Sequence, residues 1–435
     1  MTPAARVAAA IELLDAVDSD PRPADLVAGA WLRARRFIGA KDRRALSDRV
    51  WGLLRRRARL DWWLGELGEA PSARRRVLAD LALAEHLDAA AINALCSGER
   101  NAPDRLTPDE WAIVQATVGK DLFHHRMPAW VRGEYPLWLE ARLAARFGER
   151  LAAEMGALRD EAPVDLRVNT LKTDRAAAIA ALAADGLTAR PTPLSPIGLR
   201  LPARVALSAQ SAFRDGLVEV QDEGSQLVAM LTAALPGQAV IDFCAGAGGK
   251  TLALAAAMEN KGRLVACDVH VGRAERAAQR LRRAGVHNVT RRILEGDHDK
   301  WAKRQAGGFD RVLIDAPCSG TGTWRRNPDA KWRLTEERLA ELRLVQQRIL
   351  AQAAPLVRPG GRLVYATCSL LPEENEAQVE TFVAAHRDFS VLPVAAVWQA
   401  TIGGICPVDG PYLHLTPAAH GTDGFFAAIL ERSGG

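Results

Sequence analysis

The apolar run Ala239-Val240-Ile241 ends on Asp242. It opens directly into Phe243-Cys244-Ala245-Gly246-Ala247-Gly248-Gly249-Lys250-Thr251, after which Ala and Leu recur with helical spacing. Few folds accommodate that order. A short apolar run bounded by glycines reads as a buried strand, and glycines before a helix let backbone amides approach a ligand closely. The spacing is neither that of a dinucleotide GxGxxG turn nor that of a Walker loop. Downstream the alternation repeats. Residues 264–267, 289–294, 312–314 and 363–366 read as strands, with helical stretches near 250–259, 272–284, 335–354 and 373–386, and 425–430 reads as a late strand. This predicts an α/β fold, a Rossmann-like domain whose mostly parallel sheet is buried on both faces.

A chain of 435 residues is too long for one core, and three domains are expected. Residues 1–130 carry only helical periodicity, with Arg between the apolar positions. Residues 131–215 are mixed: a helix over 137–159, a strand over 164–168, an Ala-rich helix from Thr173, and loops punctuated by Pro191, Pro193, Pro196 and Pro202. This small α+β module leads into the α/β domain, 216–435. No apolar run of about 18 residues and no signal-peptide pattern is present, so a cytoplasmic protein without a membrane partner is expected. The six cysteines (Cys96, Cys244, Cys267, Cys318, Cys368, Cys406) show no CxxC spacing. Free thiols are expected rather than a disulfide framework, and no metal site. His124-His125 lacks a spaced partner and reads as a surface pair.

The formal net charge of +5 favours an anionic partner, and its distribution is more informative than its total. Between Arg33 and Arg76 there are 14 basic and 5 acidic side chains, including Arg55-Arg56-Arg57 and Arg74-Arg75-Arg76. A second basic zone runs from Arg273 to Arg304, and a third holds Arg325, Arg326, Lys331 and Arg333. Phosphate contacts are expected among them.

Two further signatures sit at strand ends, Asp315-Ala316-Pro317-Cys318-Ser319-Gly320 and Ala366-Thr367-Cys368-Ser369. Ligands of open α/β sheets lie at the carboxyl ends of strands, where Asp242, Asp268, Asp297, Asp315 and Cys368 all fall. Asp268 is placed to accept from both hydroxyls of a ribose, and Asp297 to meet an adenine amino group. Two thiols beside a nucleotide-type pocket suit covalent chemistry, one sulfur adding and the other assisting release. Trp324 and Trp332 flank Arg325-Arg326-Asn327-Pro328, which read either as a mobile loop covering the substrate, with aromatics stacking on unpaired bases and Arg on phosphates, or as a packed loop.

Together these signatures resemble those of the 5-methylcytosine RNA methyltransferases, the RsmB/Sun (NOL1/NOP2/NSUN) family. Arg167-Val168-Asn169-Thr170-Leu171-Lys172 and Val220-Gln221-Asp222-Glu223-Gly224-Ser225-Gln226-Leu227 also match it. Phe37-Ile38-Gly39-Ala40-Lys41-Asp42-Arg43-Arg44-Ala45-Leu46, followed by Trp51-Gly52-Leu53-Leu54-Arg55, resembles the NusB-like helical domain of the bacterial ribosomal RNA enzyme. The family loop usually reads Cys-Ala-Ala-Pro-Gly-Gly-Lys-Thr; Gly246 and Ala247 replace its Ala and Pro here, so the loop lacks proline's rigidity.

The resemblance implies that S-adenosylmethionine is held by Cys244, Ala245, Gly246, Ala247, Gly248, Gly249, Lys250, Asp268, Asp297 and Asp315. It further implies Cys368 as the nucleophile and Cys318 as the residue that helps remove the adduct. Asp315 would pair with the cytosine edge and Lys250 would contact the flipped base. The implied partner is RNA, 16S ribosomal RNA with transfer RNA as the alternative, bound by a monomer that does not act on DNA. Amino-group methyltransferases carry Asn/Asp-Pro-Pro-Tyr/Phe where Asp315-Ala316-Pro317-Cys318 stands, and DNA cytosine enzymes lack the second Thr-Cys-Ser. A non-catalytic ribosome-assembly factor is the rival class; intact Cys318, Cys368, Asp315 and Lys250 argue against it.

Overall fold

Helices follow one another through the first 160 residues because apolar positions recur at three- and four-residue spacing, and four of them carry a side-chain N-cap. Thr2 accepts from Ala5 N with Pro3 at the first helical position, and Thr107 and Glu110 form a reciprocal capping box. The structure is a computed structural model and describes residues 1–296 and 299–434, so Asp297, the expected adenine partner, lies outside the described residues. The chain divides into two compact units, Met1–Asp160 with Trp324–Leu334, and Glu161–Thr323 with Thr335–Gly435. No helix among the described residues is long and apolar enough to cross a membrane.

In the first unit the helix Ala73–Leu83 is buried from Arg76 to Leu83 and packs on Pro3–Ser19, Arg57–Glu66 and Pro108–Thr117. Where the sequence pattern places a boundary at 130, this unit continues to Asp160. Leu151–Arg159 packs on Ala129–Gly133, and Arg159 donates to the Arg132 carbonyl at 2.6 Å. The expected single helix over 137–159 is broken at Gly148, whose φ of 52° no L side chain adopts readily.

The arginine triplets are also corrected. Arg56 pairs with Asp80 through two bonds of 2.7 and 2.9 Å, Arg57 with Asp18, Arg76 with Asp61 and Asp18, Arg74 with Glu110, and Arg75 with Glu69. Arg55 donates to the Arg325 carbonyl. These cations hold helices together rather than face solvent as a phosphate patch. Arg33, Arg36 and Lys41 are exposed and carry no ion pair among the described residues, and Phe37, between them in sequence, is 80% exposed.

The second unit holds two sheets. The smaller contains β1 (Val164–Val168), β2 (Arg190–Pro191), β3 (Gly198–Leu201) and β4 (Val218–Val220), antiparallel in the order β2-β3-β1-β4. Pro191, expected in a loop, lies in the edge strand β2, where a missing N–H is tolerated. The larger sheet contains β5 (Ala239–Asp242), β6 (Arg263–Asp268), β7 (Val289–Ile293), β8 (Phe309–Asp315), β9 (Val357–Thr367), β10 (Phe389–Leu392), β11 (Leu413–Leu415) and β12 (Phe425–Arg432). Its order is β10-β12-β9-β8-β5-β6-β7, with β11 paired to β12. The run from β9 to β7 is parallel, and β12 lies antiparallel to β9. Helices cover both faces, so the central strands carry buried apolar runs at Val240–Ile241, Leu264–Cys267, Val312–Ile314 and Leu363–Ala366, and the expected Rossmann-like sheet is present.

Candidate active site

Strands β8, β5 and β6 are neighbours, and each ends on an aspartate: Asp315, Asp242 and Asp268. Between the last two runs the glycine loop. Gly246 and Gly248 have φ of 56° and 81°, and a Cβ on Gly248 would lie 3.1 Å from the Ala277 Cβ. Asp268 fastens the loop, one oxygen accepting from Gly246 N at 2.8 Å and the other from His270 N at 2.7 Å. Arg280, which sequence reasoning passed over as part of a basic zone, donates to the Ala247 carbonyl at 2.8 Å and lies 3.4 Å from Glu219. It supplies restraint at the position where the family has proline.

Asp242 is fully buried. One of its oxygens accepts from the Thr251 hydroxyl at 2.6 Å, and the other is buried with no partner among the described residues. Burial pushes its carboxyl up to about 7; the Thr251 bond opposes this and neighbouring Asp315 adds to it. Lys250 Nζ bonds Asp315 at 2.7 Å, the lysine buried and the carboxylate about one-third exposed. Three carboxylates against one lysine form an acidic focus with an unmatched acceptor, which fits a ligand bearing both a sulfonium and an ammonium. A cavity of about 230 Å³ beside Phe243, Leu294 and Gly296 offers largely apolar walls for a flat ring.

The parallel register Asp315↔Ala366 brings the two cysteine signatures side by side, and Cys318 Sγ lies 3.4 Å from Cys368 Sγ. The loops are stitched together: Gly322 N donates to the Cys368 carbonyl, and Leu370 N to Thr321 Oγ1. Beneath them lies Glu374, fully buried and missed by sequence reasoning. Its carboxylate accepts from Ser319 N at 2.8 Å, from Gln346 Nε2 at 2.9 Å, and from the hydroxyls of Ser319 and Ser369. The sequence signal was Glu373-Glu374-Asn375-Glu376 shortly after Cys368, which the pattern places at the start of the helical stretch 373–386 with no functional role. The bond to Cys368, burial, and the charges of Cys368 and Glu374 raise the Cys318 thiol well above its usual range, so it keeps its proton. Burial likewise raises Cys244.

The structure does not bear out the Trp324–Trp332 loop as a mobile cover. Trp324 is 1% exposed, Trp332 packs on the helical core, and Arg325 and Lys331 are buried. Arg333 bonds Asp329 and the carbonyls of Asp20 and Val17. This segment belongs to the helical unit. Its aromatic and cationic side chains are structural because each finds an apolar or oxygen partner there. His124 stacks on Trp62 with ring centroids 5.1 Å apart, a packing role.

Residues 229–431 match the family described as 16S rRNA methyltransferase RsmB/F, and residues 135–208 match the ferredoxin-like domain of RsmF/B-like methyltransferases. The probable ribosomal RNA small subunit methyltransferase B of Synechocystis sp. is 33% identical over 419 residues, 91% of this chain and 92% of the relative. The ribosomal RNA small subunit methyltransferase B of Photorhabdus laumondii is 31% identical over 417 residues, again 91% and 92%. Among solved structures, that of PH0851 superposes with a TM-score of 0.79 at 26% identity over 99% of both chains. A methyltransferase homologue from Pyrococcus horikoshii gives 0.60 at 30% identity over 70% of this chain and 97% of its own.

Proposed function

The chain belongs to the RsmB/F family of S-adenosylmethionine-dependent methyltransferases, and from that premise we propose that it methylates carbon 5 of a cytosine in 16S ribosomal RNA. The observation that carries the reading is the pair of thiols 3.4 Å apart at the ends of adjacent strands. Carbon 5 of cytosine is too weak a nucleophile to take a methyl group unaided. Cys368, as thiolate, adds to carbon 6 and turns carbon 5 into an enamine-like nucleophile. Asp315 and Lys250 hold the edge of the base. S-adenosylmethionine supplies a methyl group made electrophilic by its sulfonium. After transfer the carbon 5 proton passes to solvent water, its electron pair re-forms the carbon 5–carbon 6 double bond and expels Cys368 as thiolate, and the Cys318 S–H donates a hydrogen bond to that departing sulfur.

Residues 244–250, Asp268 and Asp315 would hold the cofactor, joined by Asp242 through its unmatched oxygen. Asp268→Ala is expected to weaken S-adenosylmethionine binding by about 1–3 kcal/mol, since the loop loses a fastening and the ligand a charged acceptor. Isothermal titration with the cofactor measures this, and an unchanged affinity would remove Asp268 from the pocket.

The helical unit, NusB-like by sequence resemblance, is assigned to RNA docking in the cytoplasm by a monomer. Its exposed Arg33, Arg36 and Lys41, with Phe37 between them in sequence, are better placed for phosphate and base contact than the paired Arg55, Arg56 and Arg57. Neutralising Arg33, Arg36 and Lys41 together is expected to flatten the salt dependence of RNA affinity by up to about 3 units. Neutralising Arg55, Arg56 and Arg57 should instead lower the unfolding midpoint. Filter binding over a salt series and urea titration separate the two.

The substrate assignment is tested with purified protein, methyl-labelled S-adenosylmethionine and deproteinised RNA, followed by nucleoside mass spectrometry. Labelled 5-methylcytidine in 16S RNA is expected. Label in transfer RNA alone would move the substrate, and no label in either would favour the assembly factor.

A further inference from the structure

We propose that Glu374 is a positioning residue whose carboxylate clamps the Cys318 loop to the Cys368 loop and so sets the two sulfurs against each other. The proposal rests on the covalent reading of the thiol pair and adds a residue that touches neither sulfur by a hydrogen bond. A carboxylate removed from water is stable only when donors surround it. Here the donors come from three places. Ser319 follows Cys318, Ser369 follows Cys368, and Gln346 lies on the helix Glu336–Ala353. Gln346 also donates to the Pro317 carbonyl at 3.0 Å, so one amide joins the clamp to the residue before Cys318.

The backbone around Glu374 is held just as firmly. Tyr365 Oη donates to the Glu374 carbonyl at 2.7 Å, and Asn375 Nδ2 donates to the Ser369 carbonyl at 2.9 Å. Thr367 Oγ1 donates to Asn375 Oδ1 and accepts from Ser369 N, which closes the Thr367-Cys368-Ser369 turn on itself. Removing the clamp leaves the loops joined by the bonds from Gly322 N to the Cys368 carbonyl and from Leu370 N to Thr321, but without the acceptor shared by Ser319 and Ser369 beside the sulfurs. The sulfurs would then be held less firmly at their separation, and both steps of the chemistry depend on it.

The charge of Glu374 has a second effect. Cys368 and Glu374 are the ionisable groups whose charge bears on Cys318, with the Tyr365 phenol and Cys244 behind them. A fixed negative charge beside Cys318 disfavours a second one, so the proton of the thiol pair stays on Cys318 and its S–H faces Cys368. Neutralising Glu374 lets Cys318 ionise more readily.

The test uses the full chain carrying Glu374→Gln, Glu374→Asp, or Ser319→Ala with Ser369→Ala. Alkylation of each cysteine by iodoacetamide is followed against pH by peptide mass spectrometry without RNA, alongside cofactor titration and methyl-transfer kinetics. Glu374→Gln should move Cys318 alkylation to lower pH and reduce kcat on the order of 10- to 100-fold, with cofactor affinity unchanged within about twofold. Glu374→Asp, which keeps the charge, should leave the Cys318 profile near that of the parent and restore part of kcat. The double serine variant should lower kcat similarly, and it stands in if Glu374→Gln does not fold. A parental kcat in the double serine variant, or a parental kcat and alkylation profile in Glu374→Gln, overturns the proposal. Alkylation reads the thiols whatever atom is methylated. A shifted profile without any RNA adduct therefore supports the Glu374 role and removes only the covalent reading, whereas an intact adduct with an unshifted profile does the reverse.

Discussion

A denaturing gel of the Cys318→Ala protein incubated with S-adenosylmethionine and substrate RNA is expected to show a protein–RNA band that the Cys368→Ala protein lacks. Cys368→Ala removes the sulfur that would add to carbon 6, so methylation and adduct should both vanish, a loss of several orders of magnitude in kcat. Cys318→Ala leaves attack and methyl transfer possible but takes away the hydrogen-bond donor 3.4 Å from the sulfur that must depart. The complex should therefore accumulate after a single turnover. The reverse pattern would make Cys318 the nucleophile, and no band in either protein would remove covalent catalysis. The structure sharpens this expectation because the two side chains are in contact. Each alanine variant must accordingly be checked for unchanged cofactor affinity, so that a collapsed pocket is not mistaken for lost chemistry.

Asp242→Asn is expected to stabilise the cofactor-free protein at pH 8 and to leave it little changed at pH 4. Burial pushes the folded-state carboxyl up to about 7, against 3.8 for a carboxyl in the unfolded chain, so between these values the folded protein holds a proton that the unfolded chain has lost. Stability from this group is therefore complete below about pH 4 and falls as pH rises to about 7, by on the order of 4 kcal/mol. Asparagine keeps an acceptor for the Thr251 hydroxyl and carries no charge, so the difference between the proteins should grow with pH across that window. Urea titrations at pH 4, 6 and 8 measure it. The same substitution should weaken S-adenosylmethionine binding above pH 7, where the native carboxylate is available to a cationic ligand. Identical pH dependence in both proteins would refute the buried, unmatched carboxylate.

Most strands legible in the sequence were those that bury both faces; β7, read at 289–294, is a partly exposed edge strand recognised from its β-branched residues. β5, β6, β8, β9 and β12 each carry a continuous apolar run that needs no neighbour to be recognised. The strands that escaped notice are short or lie at edges. β2 consists of two exposed residues, β4 of three, and β10 begins Phe389-Ser390 with its later residues half-buried. Such segments become strands because a partner offers free backbone groups, and that information is not in their own side chains. The arginines show the same limit from the other side. Arg76 and Asp18 are 58 residues apart, and a basic triplet looks alike in sequence whether it meets phosphate or carboxylates of the same chain.

At the site, the chemistry of the residues was readable and their company was not. The aspartates at strand ends, the glycine loop and both cysteine signatures follow from local pattern, since strand, turn and helix N-terminus are written in consecutive residues. That Cys318 meets Cys368 was decided by tertiary structure, through the parallel pairing of β8 with β9 that joins loops 50 residues apart in the chain. The same pairing made Glu374, in sequence only the start of a helical stretch, a buried acceptor shared by both loops. It was also the fold that left one oxygen of Asp242 without a donor. The physical reason is that local sequence sets which backbone shape a segment prefers, whereas the burial of a charge and the identity of its partner depend on what the rest of the chain brings against it.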